Sequence, residues 1–305
     1  MPADLDLTRL RALAAVARTG SLTAAARELG VAQPSVSHHL ARLEVEAGIP
    51  LLERAGRGVR LTEAGRLLAD RAEEILGRVA GVRRELDALA GLRAGRARLA
   101  AFPSALATIV PTAISALVRD HPGLGVGLVE VEPPEAVAAL AAGEVDVALV
   151  FEHDDVRHAR AVDDLSRYVV TPILDEPVHL VRPAPAAAPD DVAPPLADLA
   201  EADWIAGCPR CRADLVARCS AAGFSPRITF ETDDSVAVQA LVAAGVGVSL
   251  LPDLALRAHR SDQVVTHALP GARRRVLALT LGAPTPPARE LLVRLVAAGA
   301  AGALS

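Results

Sequence analysis

Apolar residues near the start of the chain recur at steps of three and four. Leu5–Gly20 (L-D-L-T-R-L-R-A-L-A-A-V-A-R-T-G) therefore predicts an amphipathic helix. In Ser21–Leu43, Leu22, Ala25, Ala26 and Leu29 share one face, and Val36, Leu40 and Leu43 share another. Two short helices joined by a tight turn follow. Ser21 is placed to accept an orphan N–H at the first helix start, Gly30 to end that helix in a left-handed conformation, and Pro34 to open the next. Gln33, Ser35, Ser37, His38, His39 and Arg42 are left mostly outward. Helical hairpins are common, so an ordinary hairpin is one reading. A recognition helix in the DNA major groove is the other, with Gln for adenine edges and Arg for guanine or phosphate.

Gly48–Gly65 reads as a small hairpin wing and a new helix start, with Arg54, Arg57 and Arg60 around Gly56 and Gly58 as in a loop laid against phosphates. Beyond Thr62, residues Leu68, Ala72, Ile75, Val79, Val82, Leu86 and Leu89 alternate steps of four and three. That heptad seam suits a helix pairing with a copy of itself; a helix packed on its own domain is the alternative. Gly91 and Gly95, with Arg93, Arg96 and Arg98, mark its end and a hinge.

From Arg98 the period changes to strands alternating with helices. Strands are expected at 98–102, Gly125–Val131, 145–150, Arg167–Leu174, Val178–Arg182, Arg227–Glu231, 245–252, Val264–Leu269 and Val276–Leu281. Helices are expected at Ser104–Val118, Pro134–Ala141, Arg212–Ala222, Asp234–Ala243 and Pro287–Ala298, with a Pro/Ala-rich loop from Pro183 to Pro195. Such alternation argues for parallel sheets flanked by helices.

Composition narrows the function. A chain of 305 residues, 51% hydrophobic and 23% charged, has room for two or three packed domains and is not disordered throughout. The net charge of -5 excludes a general coat for nucleic acid, so DNA binding needs a local surface. Residues 1–62 supply one: eight arginines (Arg9, Arg11, Arg18, Arg27, Arg42, Arg54, Arg57, Arg60) face six carboxylates (Asp4, Asp6, Glu28, Glu44, Glu46, Glu53). Lysine and asparagine are absent, which we read as coding bias. No apolar run suits a bilayer span and the start lacks a signal-peptide pattern, so a cytoplasmic protein without membrane contact is expected.

The amino-terminal pieces resemble those of the LysR-type transcriptional regulators. The resemblance rests on S-x-T-x-A-A-x-x-L (Ser21–Leu29), V-x-Q-P-S-V-S (Val31–Ser37), the L-E-x-x-x-G block (Leu43–Gly48) and R-L-T-E-A-G (Arg60–Gly65). Two positions depart: Ala32 stands where a capping Ser is common, and His38 where Arg is common. T-D-D-S-V-A-V-Q-A-L-V-A-A-G-V-G-V-S-L-L-P (Thr232–Pro252) extends the likeness towards the carboxy terminus. The resemblance implies an α/β protein with an all-α winged helix-turn-helix domain at 1–62, a dimerising linker helix at 63–95, and a two-lobed effector domain like a periplasmic binding protein at 96–305. Lobe I would hold about 96–162 and 268–305, lobe II about 163–267, the chain crossing between them twice. It also implies a homodimer or tetramer on a partly palindromic double-stranded DNA site, RNA polymerase as a further partner, and a small-molecule effector. Thr23, Gln33, Pro34, Ser35, Ser37, His38, His39, Arg42, Arg54, Arg57 and Arg60 are the DNA-binding candidates.

Effector candidates sit where strands end: Ser104 with Thr108 one turn on, Phe151 beside Glu152, then Gly207, Cys208 and Ser249. The Ser104 hydroxyl and the helix amides behind it suit an anionic group; a plain helix cap is the alternative. Phe151 and Ser249 serve equally as packing. In G-C-P-R-C-R (207–212), Cys208 and Cys211 have redox-motif or metal-ligand spacing, with Cys219 further on. One branch of the LysR family senses peroxide through cysteines here, so a thiol-based regulator using Cys208, Cys211 or Cys219 stands beside the ligand-gated one; buried packing is the third reading. A second C-x-x-C is missing, so no metal is expected, and no cofactor. The chain has no phosphate-binding Gly loop, no G-x-S-x-G and no H-E-x-x-H, which speaks against an enzyme.

Overall fold

The computed structural model describes residues 5–55, 58–89, 95–154, 165–184 and 193–302, the side chains of 54–55, 58, 84–85, 87–89 and 302 excepted. The chain divides into two compact units, 1–91 with 141–144 and the remainder.

In the first unit, Asp6 trims the expected opening helix. Its Oδ1 accepts from the Thr8 and Arg9 amides at 2.8 and 3.1 Å, so α1 spans Leu7–Thr19. Ser21 caps α2 (Leu22–Leu29), its Oγ accepting from Ala24 N at 3.4 Å, and Gly30 closes it at φ 67°. Helix α3 (Gln33–Ala47) starts at Ala32 with no side-chain cap and carries Pro34 in its first turn. Leu10, Leu13, Val16, Ala25, Ala26, Val36, Leu40, Leu43 and Leu51 form the core. Glu44 fastens the hairpin to α3, its Oε1 accepting from Leu51 N at 2.8 Å and Leu52 N at 3.0 Å. The wing is β1 (Leu52–Ala55) antiparallel to β2 (Gly58–Leu61).

Helix α4 runs from Glu63 to Leu89. Thr62 caps it, accepting from Gly65 N at 3.0 Å and donating to the Pro50 carbonyl at 2.8 Å. A Cβ on Gly65 would lie 2.0 Å from the Leu51 carbonyl oxygen, so only glycine lets α4 cross there. One expectation is corrected here. Ala72 is fully buried in the winged-helix core and so is not free to line an intermolecular seam, while Leu68 is half-buried against the same core. The exposed stripe starts at Ile75 and continues through Val79, Val82 and Leu86; the Leu89 side chain lies outside the described residues.

In the second unit eight strands form one mixed sheet in the order β4-β3-β5-β10-β6-β9-β7-β8. They are β3 (Arg96–Ala101), β4 (Gly125–Glu130), β5 (Val147–His153), β6 (Val169–Pro183), β7 (Asp203–Ala206), β8 (Arg227–Glu231), β9 (Val248–Pro252) and β10 (Val264–Thr280). Strands β4-β3-β5 are parallel, as are β9-β7-β8; antiparallel β10 and β6 join the two groups and so bridge the lobes. The sequence pattern suggested two short strands on each side of the crossing. In the fold each pair is one strand, because β6 and β10 pair with each other through the polar stretch between their apolar runs. Their register shifts between Ala268 and Arg273, where the longer segment bulges.

Helices cover both faces: α5 (Pro103–Leu106), α6 (Ile109–Asp120), α7 (Pro133–Ala141), α8 (Pro209–Ala221), α9 (Ser235–Ala243), α10 (Asp253–Ala258) and α11 (Pro286–Gly302). The single helix expected over Ser104–Val118 is broken at Ala107–Thr108, which leaves α5 one turn long. Helix α10 had no counterpart in the expected pattern, where the segment read as a turn.

Candidate functional site

Two surfaces carry the candidate residues. On the first unit, Val36, Leu40 and Leu43 bury the inner face of α3. That leaves Gln33, Pro34, Ser35, His38 and Arg42 exposed, Ser37 and His39 half-buried, and Thr23 exposed on α2. Gln33 Nε2 donates to Ser37 Oγ at 2.9 Å, one turn on, which holds the amide along the helix. Arg60 lies across the wing from Glu53, Nε to Oε1 2.9 Å. The Arg54 side chain and Arg57 lie outside the described residues.

The second unit contains a cleft walled by Phe102, Ser104, Glu132 and Phe151 from one lobe and by Gly207, Cys208, Cys211, Asp233, Val238 and Leu251 from the other, with Arg274 of β10 at its base. It gathers Ser104, Phe151, Gly207 and Cys208 as the sequence suggested. Thr108 and Ser249 are not on its wall, which corrects both expectations. Thr108 Oγ1 donates to the Ser104 carbonyl at 2.5 Å, and buried Ser249 Oγ donates to the Ile205 carbonyl at 2.8 Å. Both hydroxyls close backbone groups at element ends.

Arg274 was missed, and among the described residues it is the cation on the cleft wall. It is 2% exposed, and its guanidinium carbon lies 5.0 Å from the Phe102 ring centre and 4.7 Å from that of Phe151. Its Nε donates to Glu176 Oε1 at 2.6 Å and its Nη2 to Ser104 Oγ at 3.1 Å. Period-two alternation was the available signal: buried Ala272 and Val276 put the middle arginine of the Arg273–Arg275 run on the inner face. Glu132 was missed as well. Burial pushes its carboxyl up from the usual range, and the Cys208 thiol, hydrogen-bonded to it, pulls the other way.

Cys208 caps α8, and its Sγ lies 3.0 Å from Cys211 Sγ, both thiols free. The hydrogen bond to Cys211 and burial hold the Cys208 thiol well above the ordinary cysteine range. Cys219 sits elsewhere, fully buried against Trp204 and Leu215, and burial pushes it up to about 11. Packing explains it. Among the described residues no group of three or more His, Cys, Asp and Glu is arranged to hold a metal, and no helix is long and apolar enough to cross a membrane.

Together these units define a class: a winged helix-turn-helix DNA-binding head followed by a two-lobed effector-binding domain. Residues 7–66 match the family model for the bacterial regulatory helix-turn-helix protein, lysR family, and residues 90–301 match the LysR substrate binding domain. The chain belongs to the LysR family of transcriptional regulators. It is 29% identical over 276 residues to the "Probable HTH-type transcriptional regulator LrrA" of Synechococcus elongatus, covering 90% of this chain and 89% of that protein. It is 32% identical over 289 residues to the "Probable hydrogen peroxide-inducible genes activator" of Streptomyces viridosporus, covering 91% and 89%. The crystal structure of CbnR, a LysR family transcriptional regulator, has the same fold at a TM-score of 0.54 and 23% identity, covering 95% of this chain and 99% of that one.

Behind the cleft, His153 packs edge-on against Phe151 and is pushed down to about 3 by burial and then by the charges of Arg274, Arg218 and Arg210. It is a neutral imidazole near pH 7, and Asp214 beside it is paired with Arg218 at 2.8 Å. The folded pKa lies below the unfolded one, so the unfolded state binds the extra proton as pH falls. Stability should drop below pH about 6.5 by up to roughly 1.4 kcal/mol per pH unit from this group. Denaturant unfolding of the wild type and of His153→Gln between pH 7 and 5 checks this; parallel curves would remove His153 as the cause.

Proposed function

We propose that α3 reads the major groove through Gln33, Ser35, His38 and Arg42, that Arg54 and Arg57 contact the DNA backbone, and that a small anionic effector in the cleft modulates this binding. The observation that carries the effector reading is Arg274, buried at the cleft base with Ser104 Oγ as its hydroxyl partner at 3.1 Å. A carboxylate against Ser104 and Arg274 gains charge-assisted hydrogen bonds in a low-dielectric setting. The broken helix removes the longer dipole expected behind Ser104, so Arg274 carries that role. For the DNA reading the support is the outward polar row on α3, whose inner face is fully committed to the core.

Domain limits of 1–62, 63–95 and 96–305 follow from this reading, as does a cytoplasmic homodimer, or tetramer, on a partly palindromic site with RNA polymerase as a further partner. Dimerisation rests on the exposed stripe Ile75, Val79, Val82 and Leu86, at steps of four, three and four.

A thiol-based reading is kept as second, because Cys208 and Cys211 stand 3.0 Å apart in the same cleft and the Streptomyces viridosporus relative is named for peroxide induction. Its step would be two thiols and one peroxide giving a disulfide and two waters. The raised Cys208 pKa disfavours the thiolate that this step needs, so the ligand reading ranks first.

Three outcomes are expected. In footprints on the protein's own upstream DNA, Gln33→Ala should relax base preference at one position per half-site, costing about 1–3 kcal/mol there; unchanged preference would sink the α3 assignment. Val79→Asp should cost several kcal/mol of dimer stability and lower DNA affinity in sedimentation and gel-shift titrations. A stable dimer in that variant would show that the stripe is not the seam. Peroxide should leave the wild-type footprint unchanged; a shift that thiol reductant reverses and Cys208→Ser abolishes would promote the second reading.

A further inference from the structure

We propose that the effector is a small amino-carboxylate with an apolar side chain, its protonated nitrogen held by Glu132 on the same wall of the cleft as Ser104. This deepens the small-anion reading above and rests on it.

The charges of the cleft do not suit an anion alone. Its wall carries Arg274, Glu132 and Asp233. Arg274 is already committed to Glu176, with the two groups 3% and 4% exposed. Arg210 reaches the Phe151 carbonyl at 3.5 Å and is shared with Glu152, so Glu132 and Asp233 still outnumber the remaining cation, and a purely anionic ligand would enter against that excess. A ligand that brings its own positive charge removes that repulsion and leaves the Ser104–Arg274 end for its carboxylate.

One Glu132 oxygen also lacks a hydrogen-bond partner. This Oε2 is buried and accepts no hydrogen bond among the described residues, while the other contact of Glu132 is the Cys208 thiol. Buried polar atoms in folded proteins are nearly always paired, and the exceptions mark a strained site or a ligand position. An ammonium offers three donors, enough for Glu132 and for Asp233 nearby. A hydroxyl offers one donor and no charge. Asp233 and Glu135 push the Glu132 carboxyl in the same direction as burial does, and Arg274 opposes them. A cation beside Glu132 reverses that balance and keeps the carboxylate ionised.

Around these polar groups the wall is apolar. Phe102, Phe151, Val238, Leu250, Leu251 and Pro252 line it. Specific pockets of this kind use a few polar groups for orientation and apolar surface for affinity. An amino acid with an aliphatic or aromatic side chain satisfies all three parts of the wall.

The test uses the full chain, with thermal shift and calorimetry on two matched pairs: L-leucine with 4-methylpentanoate, and L-phenylalanine with 3-phenylpropanoate. Each acid is its partner without the amine. The amine-bearing member of at least one pair should bind about tenfold to a hundredfold more tightly than its twin, the range of one charge-assisted hydrogen bond. Glu132→Gln, which keeps size and removes charge, should collapse that preference to within about threefold, weakening the amine-bearing member while the twin binds as tightly as before or more tightly. Glu132→Asp, which keeps the charge, should retain part of the preference and serves as the folding control. Ser104→Ala should weaken both members of a pair alike. Twins that bind equally to the wild type, or a preference that survives Glu132→Gln, would overturn the amine assignment and leave the small-anion reading standing. Binding by none of the four would overturn the amino-carboxylate proposal outright, and the small-anion reading would then be judged by whether other carboxylates bind in a Ser104-dependent way.

Discussion

The ion pair between Arg274 and Glu176 is the constraint on which the second unit depends. The two residues face each other across β10 and β6, the strands that bridge the lobes. Glu176 Oε2 also accepts from Leu254 N at 2.6 Å, which ties the pair to α10 in one lobe. Arg274 reaches Ser104 in the other. One buried pair therefore holds both lobes and the base of the cleft. Removing either partner leaves an uncompensated buried charge, at about 3–5 kcal/mol. The pair also sets where a guanidinium meets the cleft.

The aromatic rings complete this arrangement. Phe102 and Phe151 meet edge to face at 4.9 Å and flank the guanidinium. Their faces attract the cation while excluding water, which strengthens the Glu176 contact. The chain holds only four phenylalanines, and two of them are spent at this point. Cys208 and Cys211 lie on the opposite wall, so whatever occupies the cleft also covers the thiols.

In the first unit, packing and recognition divide the residues of each helix between them. Helix α3 has no side-chain cap, and its stability comes instead from Val36, Leu40 and Leu43 in the core and from Glu44 holding the wing. Its outer residues are thereby relieved of structural work. Helix α4 divides along its length. Its first turns close the winged-helix core through Ala69 and Ala72, and the stripe from Ile75 onward is left uncovered.

Local pattern alone determined the helix-turn-helix, its cap at Ser21, its stop at Gly30, the alternation of strands and helices, and the placing of Ser104, Gly207 and Cys208 just past strand ends; Phe151, expected just past its strand, lies inside β5. Those features depend on neighbours within a turn or a strand, and a sequence displays such neighbours directly. Tertiary structure decided the rest. Ala72 and Val79 look alike in the heptad, and only the presence of α1 buries one and leaves the other bare. Ser249 and Ser104 both end up near turns, and only the register of β7 against β9 gives one of them a carbonyl to satisfy. Glu176 and Arg274 are far apart in the chain; nothing in either neighbourhood marks a pair until β6 and β10 align. A buried charge is stable only with its partner, and that partner is supplied by the fold.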